Sequence, residues 1–187
     1  MKIKAYTDGA CKGNPGPGGW GWYALVSIDN RIFKYKSSDG NKKTTNQQME
    51  LMAMVEFLEF CPLGSNVKIR SDSKYVLGGI IGTICKKDLL ECGKLSRWFA
   101  ISSLDDLSKG WMENWIQSNV KIGTPLEKYW SKSNVSNEKE WRRIHQRLLV
   151  LIKNNTKMKF GWCKGHSKIE GNEIADELAT KAAKSVY

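Results

Sequence analysis

Four carboxylates stand where structure alone does not require them. Asp8 closes a short alternating run and is followed by Gly9, and Asp72 closes a second run built on Val67 and Ile69. Glu50 lies near the start of a helical stretch that continues Leu51-Met-Ala-Met-Val55, and Asp176 interrupts the apolar Ile174-Ala175 and Leu178-Ala179 of the last helix. Each has an ordinary alternative. An acid near a helix start is favoured by the dipole, Asp72-Ser73 reads as a helix cap, and Asp176 can pair with Lys181. Together, with no histidine or cysteine cluster beside them, they form an all-oxygen ligand set. Such a set suits hard cations, Mg²⁺ or Mn²⁺, rather than zinc. Two such ions about 3.5–4 Å apart clamp the attacking and leaving oxygens of a phosphodiester, one activating water and the other stabilising the leaving 3′ oxygen. Without cations the carboxylates repel one another, so metal binding also relieves a strain on folding. His166, between Gly165 and Ser167 ahead of the acid-bearing helix, is placed for proton transfer; the plain alternative is a surface histidine.

The elements that must position these groups follow from periodicity. Ile3, Ala5 and Thr7 alternate with Lys2, Lys4 and Tyr6 as a strand. A Gly/Pro-rich turn (Gly13 to Gly19) leads to a second strand over Trp20 to Ile28, and an Asp29-Asn30 turn to a third over Arg31 to Lys36, an antiparallel meander. Thr45-Asn-Gln-Gln48 is a capping-box pattern opening a helix with Leu51, Met54, Val55 and Leu58 on one face, ending near Cys61-Pro62. Val67 and Ile69 mark a fourth strand, followed by a short helix through Tyr75, Val76 and Ile80. Residues 82–110 read as one or two small helices, and a Trp-rich helix follows near 111–117. A polar, turn-prone stretch then leads to a helix over Glu138 to Ile152. Met158, Phe160 and Trp162 alternate as a fifth strand, and a final helix covers about Asn172 to Lys184. The expected fold is one α/β domain over 1–187, with a five-stranded mixed sheet in which strands 4 and 5 run parallel.

The chain has 187 residues, 41% hydrophobic and 26% charged, a composition that excludes disorder and collagen-like structure. No apolar run approaches the roughly 20 residues of a bilayer helix and no leader peptide is visible, so an intracellular protein, cytoplasmic or nuclear, is expected. The five cysteines show no C-x-x-C pair, which argues against a disulfide framework or a zinc site. Thirty Lys+Arg against nineteen Asp+Glu leave a net charge of +11. The excess is concentrated: residues 109–168 hold 13 basic and 4 acidic residues, together with five of the tryptophans. A basic, aromatic half suits a polyanion, nucleic acid first; the alternative is a solubilising surface.

Four blocks, in order, resemble type 1 ribonuclease H. They are Tyr6-Thr7-Asp8-Gly9-Ala10-Cys11 with Gly13 to Gly19, Thr45-Asn46-Gln47-Gln48-Met49-Glu50-Leu51-Met52-Ala53, Asp72-Ser73-Lys74-Tyr75-Val76, and Lys164-Gly165-His166-Ser167 with Gly171-Asn172-Glu173 and Asp176 to Ala179. The resemblance implies a ribonuclease H-like fold. Asp8, Glu50, Asp72 and Asp176 match that family's metal-binding acids and His166 its mobile catalytic histidine. It implies two Mg²⁺ ions, with Mn²⁺ able to substitute, and endonucleolytic cleavage of the RNA strand of an RNA/DNA hybrid to 5′-phosphate and 3′-hydroxyl ends. Asn14, Asn46 and Gln47 resemble minor-groove contacts, where a 2′-hydroxyl distinguishes RNA from DNA. Thr45 with Asn46 resembles part of a pocket for a DNA-strand phosphate. Trp111 and Trp115 resemble an aromatic pair of the DNA-strand channel, with core packing as the alternative.

The departures matter as well. Ile116 to Lys121 is nearly neutral where fuller members of the family carry a basic protrusion, so 111–137 reads as an aromatic helix with a reduced protrusion. Lys139, Arg142, Arg143 and Arg147 are candidates to compensate. Lys74 stands where the family more often has Gln or Met, and 82–110 reads as a helical insertion. A monomer with no obligatory protein partner is expected. Two other readings keep the fold: the nuclease domain of a reverse transcriptase or mobile element, and a non-catalytic hybrid- or RNA-binding module.

Overall fold

The computed structural model describes residues 1–107, 109–112 and 136–187. Its framework is a six-stranded sheet made of β1 (Lys2–Cys11), β2 (Gly16–Ile28), β3 (Arg31–Thr44), β4 (Asn66–Ser71), β5 (Phe99–Ile101) and β6 (Lys157–Trp162), in the order β3-β2-β1-β4-β6-β5. β1, β2 and β3 form the expected antiparallel meander, and β4 and β6 continue the sheet parallel to β1. The sheet has six strands, not the five expected from periodicity. The sixth is β5, which lies antiparallel on the outer edge with Phe99 opposite Phe160 and Ile101 opposite Met158.

Five helices complete the described part: α1 (Asn46–Phe60), α2 (Lys74–Ile81), α3 (Leu104–Leu107), α4 (Glu138–Lys153) and α5 (Glu170–Ser185). Strand parity decides which face each covers. Ile3 and Ala5 of β1 and Val67 and Ile69 of β4 are buried in one core with Leu51, Met54, Phe57 and Leu58 of α1 and with Trp141, Ile144 and Leu148 of α4. Each fully buried α1 side chain contributes roughly 1.5–3 kcal/mol of transfer free energy. The opposite parity, Tyr6 and Tyr23, packs beneath Ala175 of α5. That helix sits close because β2 offers it glycine: a Cβ on Gly19 would stand 2.4 Å from the Ala183 nitrogen.

α1 and α4 are bound by more than apolar contact. Arg143 bridges Glu56 and Glu59, and Arg147 donates to the carbonyls of Leu58 and Cys61 at the C-terminal end of α1. Arg142 pairs with Glu138 on its own helix. Three of the four basic residues considered as substitutes for a basic protrusion are thus engaged in holding helices.

Residues 82–110 contain the small helical elements expected, a 3₁₀ turn at Lys86–Asp88 and α3, but between them the chain doubles back against β6. Leu89 bridges Ser96, Leu95 bridges Cys163, and the Arg70 guanidinium donates to the carbonyls of Ser96 and Trp162. The rest of the expected aromatic helix beyond Met112, including Trp115, lies outside the described residues. Among the described residues no helix is long and apolar enough to cross a membrane, and all five cysteines are free.

Candidate active site

The acids converge where β4 ends, beside β1 and the first turns of α1; Asp8 does not close its strand, because pairing with β2 carries β1 three residues further to Cys11. Asp8 lies on β1 opposite Gly21 and shares its parity with Tyr6, on the α5 face. Gly9 then lets α1 pass directly over the strand: a Cβ there would sit 2.2 Å from the Glu50 nitrogen. The start of α1 is set by Thr45, whose hydroxyl accepts from the Gln48 amide at 3.2 Å, as the capping pattern predicts. Glu50 falls one turn further on and turns inward. Asp72 follows the last residue of β4.

One oxygen from each of Asp8, Glu50 and Asp72 lies within 4.8 Å of the others. Asp8 is 6% exposed and Glu50 9%. The Glu50 Oε2 is buried with no hydrogen-bond partner, while an Asp8 oxygen accepts from the Gly9 amide at 2.7 Å. Three carboxylates held this close, with no ion pair to a basic residue among the described residues, are a costly arrangement in the metal-free state. Burial, and then the charges of Asp72 and Asp176, push the Asp8 carboxyl up to about 8. Glu50 is raised well above its ordinary range by burial and then by Asp8 and Asp72, and Asp72 is raised by burial first. A hard divalent cation would satisfy the orphaned oxygen and remove the repulsion together, so the donor set fits such an ion.

Ser73, not Asp72, caps α2 by accepting from the Val76 amide, so the Asp72 carboxylate has no capping duty. Lys181 pairs with Glu177 rather than with Asp176. Glu50 does not face solvent as a helix-dipole acid would. Asp176 stands outside the close triangle and reaches it through Coulombic influence on Asp8 and Asp72. Its Oδ2 lies 3.5 Å from Nδ1 of His166, whose ring is 81% exposed on a loop where His166 has a φ of 49°.

The rim carries the other expected residues. The Asn14 side chain accepts from the Asn46 amide at 3.2 Å, which ties the β1–β2 turn to the start of α1. Asn14, Asn46 and Gln47 are exposed there and Thr45 is half-buried. Trp111 is half-buried, its ring 5.3 Å from Tyr75 and 4.8 Å from Trp141, the packing arrangement weighed above. Lys74 is exposed, its ammonium 5.2 Å from the Trp162 ring.

Two supporting residues escaped functional notice in the sequence. Asn172 is 1% exposed, accepts from the Cys163 thiol at 3.1 Å and hydrogen-bonds to Asp72. The Trp162 indole donates to the Asp72 carbonyl at 3.0 Å. Asn172 belongs to the Gly171-Asn172-Glu173 segment that resembles the family, but nothing in the chain order shows that it meets Asp72.

A cluster of three carboxylates, from β1, the first turns of α1 and the end of β4 of a mixed sheet, with Asp176 and an exposed histidine near it, defines the class of site. A sequence model of the RNase H family matches residues 1–184, and the chain belongs to that family as a ribonuclease H enzyme. Curated relatives named Ribonuclease H include one from Francisella tularensis subsp. novicida, 34% identical over 97% of this chain and 90% of that protein. Another, from Francisella philomiragia, is 35% identical over 96% and 90%. Among solved structures, a type 1 RNase H with the type 2 active-site motif, LC9-RNase H1, superposes with a TM-score of 0.64 at 20% identity over 100% of this chain and 74% of that one. LC11-RNase H1, solved in complex with an RNA/DNA hybrid, gives 0.56 at 18% identity over 98% and 97%.

Proposed function

We propose that this chain hydrolyses the RNA strand of RNA/DNA hybrids with two divalent ions, Mg²⁺ in the first place, leaving 5′-phosphate and 3′-hydroxyl ends. The observation that carries the reading is the buried triangle of Asp8, Glu50 and Asp72, with an unpartnered Glu50 oxygen inside it. Asp8 would be shared between the ions, with Glu50 and Asp72 completing one site and Asp176 the other. Bound there, the ions supply Lewis acidity to the phosphodiester and a nucleophilic water at neutral pH.

The remaining work falls to this chain's own side chains. Asn172 and the Trp162 indole hold Asp72 in place. His166, exposed and beside Asp176, is free to carry a proton between the cleft and solvent. Asn14, Asn46 and Gln47, on the rim next to α1, offer amides to the minor groove, and Thr45 with Asn46 binds a DNA-strand phosphate. The two tryptophans, Trp111 and Trp115, are proposed to flank the DNA strand. LC11-RNase H1, which shares the fold, was solved with such a hybrid, and this supports the choice of substrate. The protein is proposed to act as one catalytic domain and a monomer, without an obligatory protein partner.

The test is cleavage of an end-labelled RNA strand paired to DNA, with Mg²⁺ and with EDTA, beside RNA/RNA and DNA/DNA duplexes. Cutting of the hybrid alone, abolished by EDTA and by Asp72→Asn with hybrid binding retained, is the expected outcome. Normal rates for Asp72→Asn would overturn the ligand assignment.

A further inference from the structure

The α5 face of the sheet is covered over only half its height. α5 lies on the rows that run from Tyr6 and Tyr23 up to Gly19 and Gly40, and its first turn presses on the Tyr6 ring, where a Cβ on Gly171 would stand at 2.2 Å. Below Tyr6 nothing among the described residues covers the strands. The sheets of α/β proteins are normally buried on both faces, so an uncovered half is expected to carry exposed polar residues, and it carries lysine.

The lysines are in register. Lys34 of β3 is opposite Leu25 of β2, Leu25 is opposite Lys4 of β1, Lys4 is beside Lys68 of β4, and Lys68 is beside Lys159 of β6. One pleat further from the acids, Lys2, Asn66 and Lys157 form a second row. From strand geometry the rows lie about 7 Å apart, and neighbours within a row about 5 Å apart at the backbone. All six lysines are exposed, and among the described residues none is in an ion pair.

Like charges directly abreast on adjacent strands are destabilising, and a surface that only keeps a protein soluble intersperses both signs. Here Lys4, Lys68 and Lys159 stand abreast on three consecutive strands, and none of the flanking segments 2–6, 23–28, 31–36, 66–70 and 157–161 contains an Asp or Glu. The half-buried Trp98 ring closes the upper edge, with Arg70 at 4.0 Å and Lys68 at 5.7 Å from its centre. The floor, with Leu25 and Ile32 between the lysines, is an open recess of about 500 Å³.

We propose that this lysine-lined half of the sheet is a second, non-catalytic binding surface for the phosphate backbone of nucleic acid. Lysine heads on flexible stems act as point charges, which neutralise a run of phosphates without reading sequence. The recess is open rather than enclosed, and a regular array of lysines that form no ion pairs among the described residues matches a regular array of anions. The first turn of α5 stands between these rows and Asp8, so the surface is separate from the carboxylate cluster. It would hold a second duplex, or a distant stretch of the substrate, while the cleft is occupied. The binding requires no cleavage and stands apart from the proposed hydrolysis.

The experiment compares the wild type with Lys4→Gln/Lys68→Gln/Lys159→Gln and with a control of equal charge, Lys86→Gln/Lys87→Gln/Lys153→Gln. Affinity for a DNA duplex of about 30 base pairs, roughly 100 Å long, is measured in EDTA as a function of salt. Thermal melting checks that all three proteins fold. Three phosphate contacts contribute about 2.7 to the slope of log affinity against log salt, about 40-fold between 50 and 200 mM. The sheet variant loses a slope of about 2–3, the control keeps the wild-type slope, and both cleave a hybrid of about 8 base pairs at the wild-type rate. Equal loss in the two variants, or no loss in either, overturns the site. Wild-type binding to polyglutamate that the sheet variant loses, with duplex affinity unchanged, assigns the surface to an acidic protein segment and overturns the nucleic-acid assignment.

Discussion

Asp8→Asn separates the stability of the metal-free protein from its catalysis, and its sign follows from burial. The Asp8 carboxyl titrates near 3.8 in an unstructured chain and at about 8 in the folded protein. Between these values the folded state binds a proton that the unfolded state has released. The stabilisation from Asp8 is therefore complete below about pH 4 and is lost as pH rises toward 8. At pH 7 the unfolded state has gained a little over three pH units of ionisation that the folded state has not, about 4 kcal/mol at about 1.4 kcal/mol per unit. Asparagine has nearly the shape of protonated aspartic acid and can still accept from the Gly9 amide. In EDTA the variant is therefore as stable as the wild type near pH 4 and about 4 kcal/mol more stable at pH 7, a midpoint shift of roughly 10 °C for a chain of this size. Relief of Glu50 and Asp72 adds to the same side. Thermal or urea unfolding of both proteins from about pH 4 to about pH 9 reads the difference directly. Saturating Mg²⁺ should then stabilise the wild type more than the variant. A pH-independent offset, or a wild type that becomes more stable as pH rises, would refute the argument that the site stores carboxylate repulsion.

Gly9→Ala tests the approach of α1 to β1. Its Cβ would collide with the Glu50 backbone, so a loss of about 2–3 kcal/mol in urea unfolding is expected together with loss of cleavage, and wild-type behaviour would show that Glu50 does not depend on this contact. His166→Ala removes a ring that is 81% exposed, so the melting temperature should stay unchanged. Its kcat should fall by about 10²–10⁴ with little change in KM if the ring carries a proton; an unchanged kcat would return His166 to the surface.

The parts of this fold that were legible in the sequence are those in which local chemistry and tertiary position agree. Thr45 caps α1 where its pattern predicts, because the hydroxyl needs only the amide three residues on. The meander was legible from alternation, but only in part. β3 continues through Ser37 to Thr44, a polar run without alternation, because the hairpin register with β2 extends to Gly16 opposite Thr44. β5 has three residues and no period of its own; pairing with β6 creates it, together with the Arg97 guanidinium over Phe99. α5 begins at Glu170, two residues before the expected start, in a turn without a side-chain cap.

The acids were legible for a different reason. A carboxylate within or just after an apolar strand contradicts the hydrophobic pattern around it, and such contradictions concentrate at sites where function overrides stability. Asn172 breaks no pattern: an amide near a helix start is ordinary, and its bond to Asp72 exists only once α5 has docked. The lysine rows were hidden in the same way. Each of Lys2, Lys4, Lys68, Lys157 and Lys159 alternates correctly as the solvent side of its own strand, and only the register of the sheet sets them abreast. A local rule that is obeyed strand by strand can thus assemble a charge array whose mutual repulsion no single strand reveals.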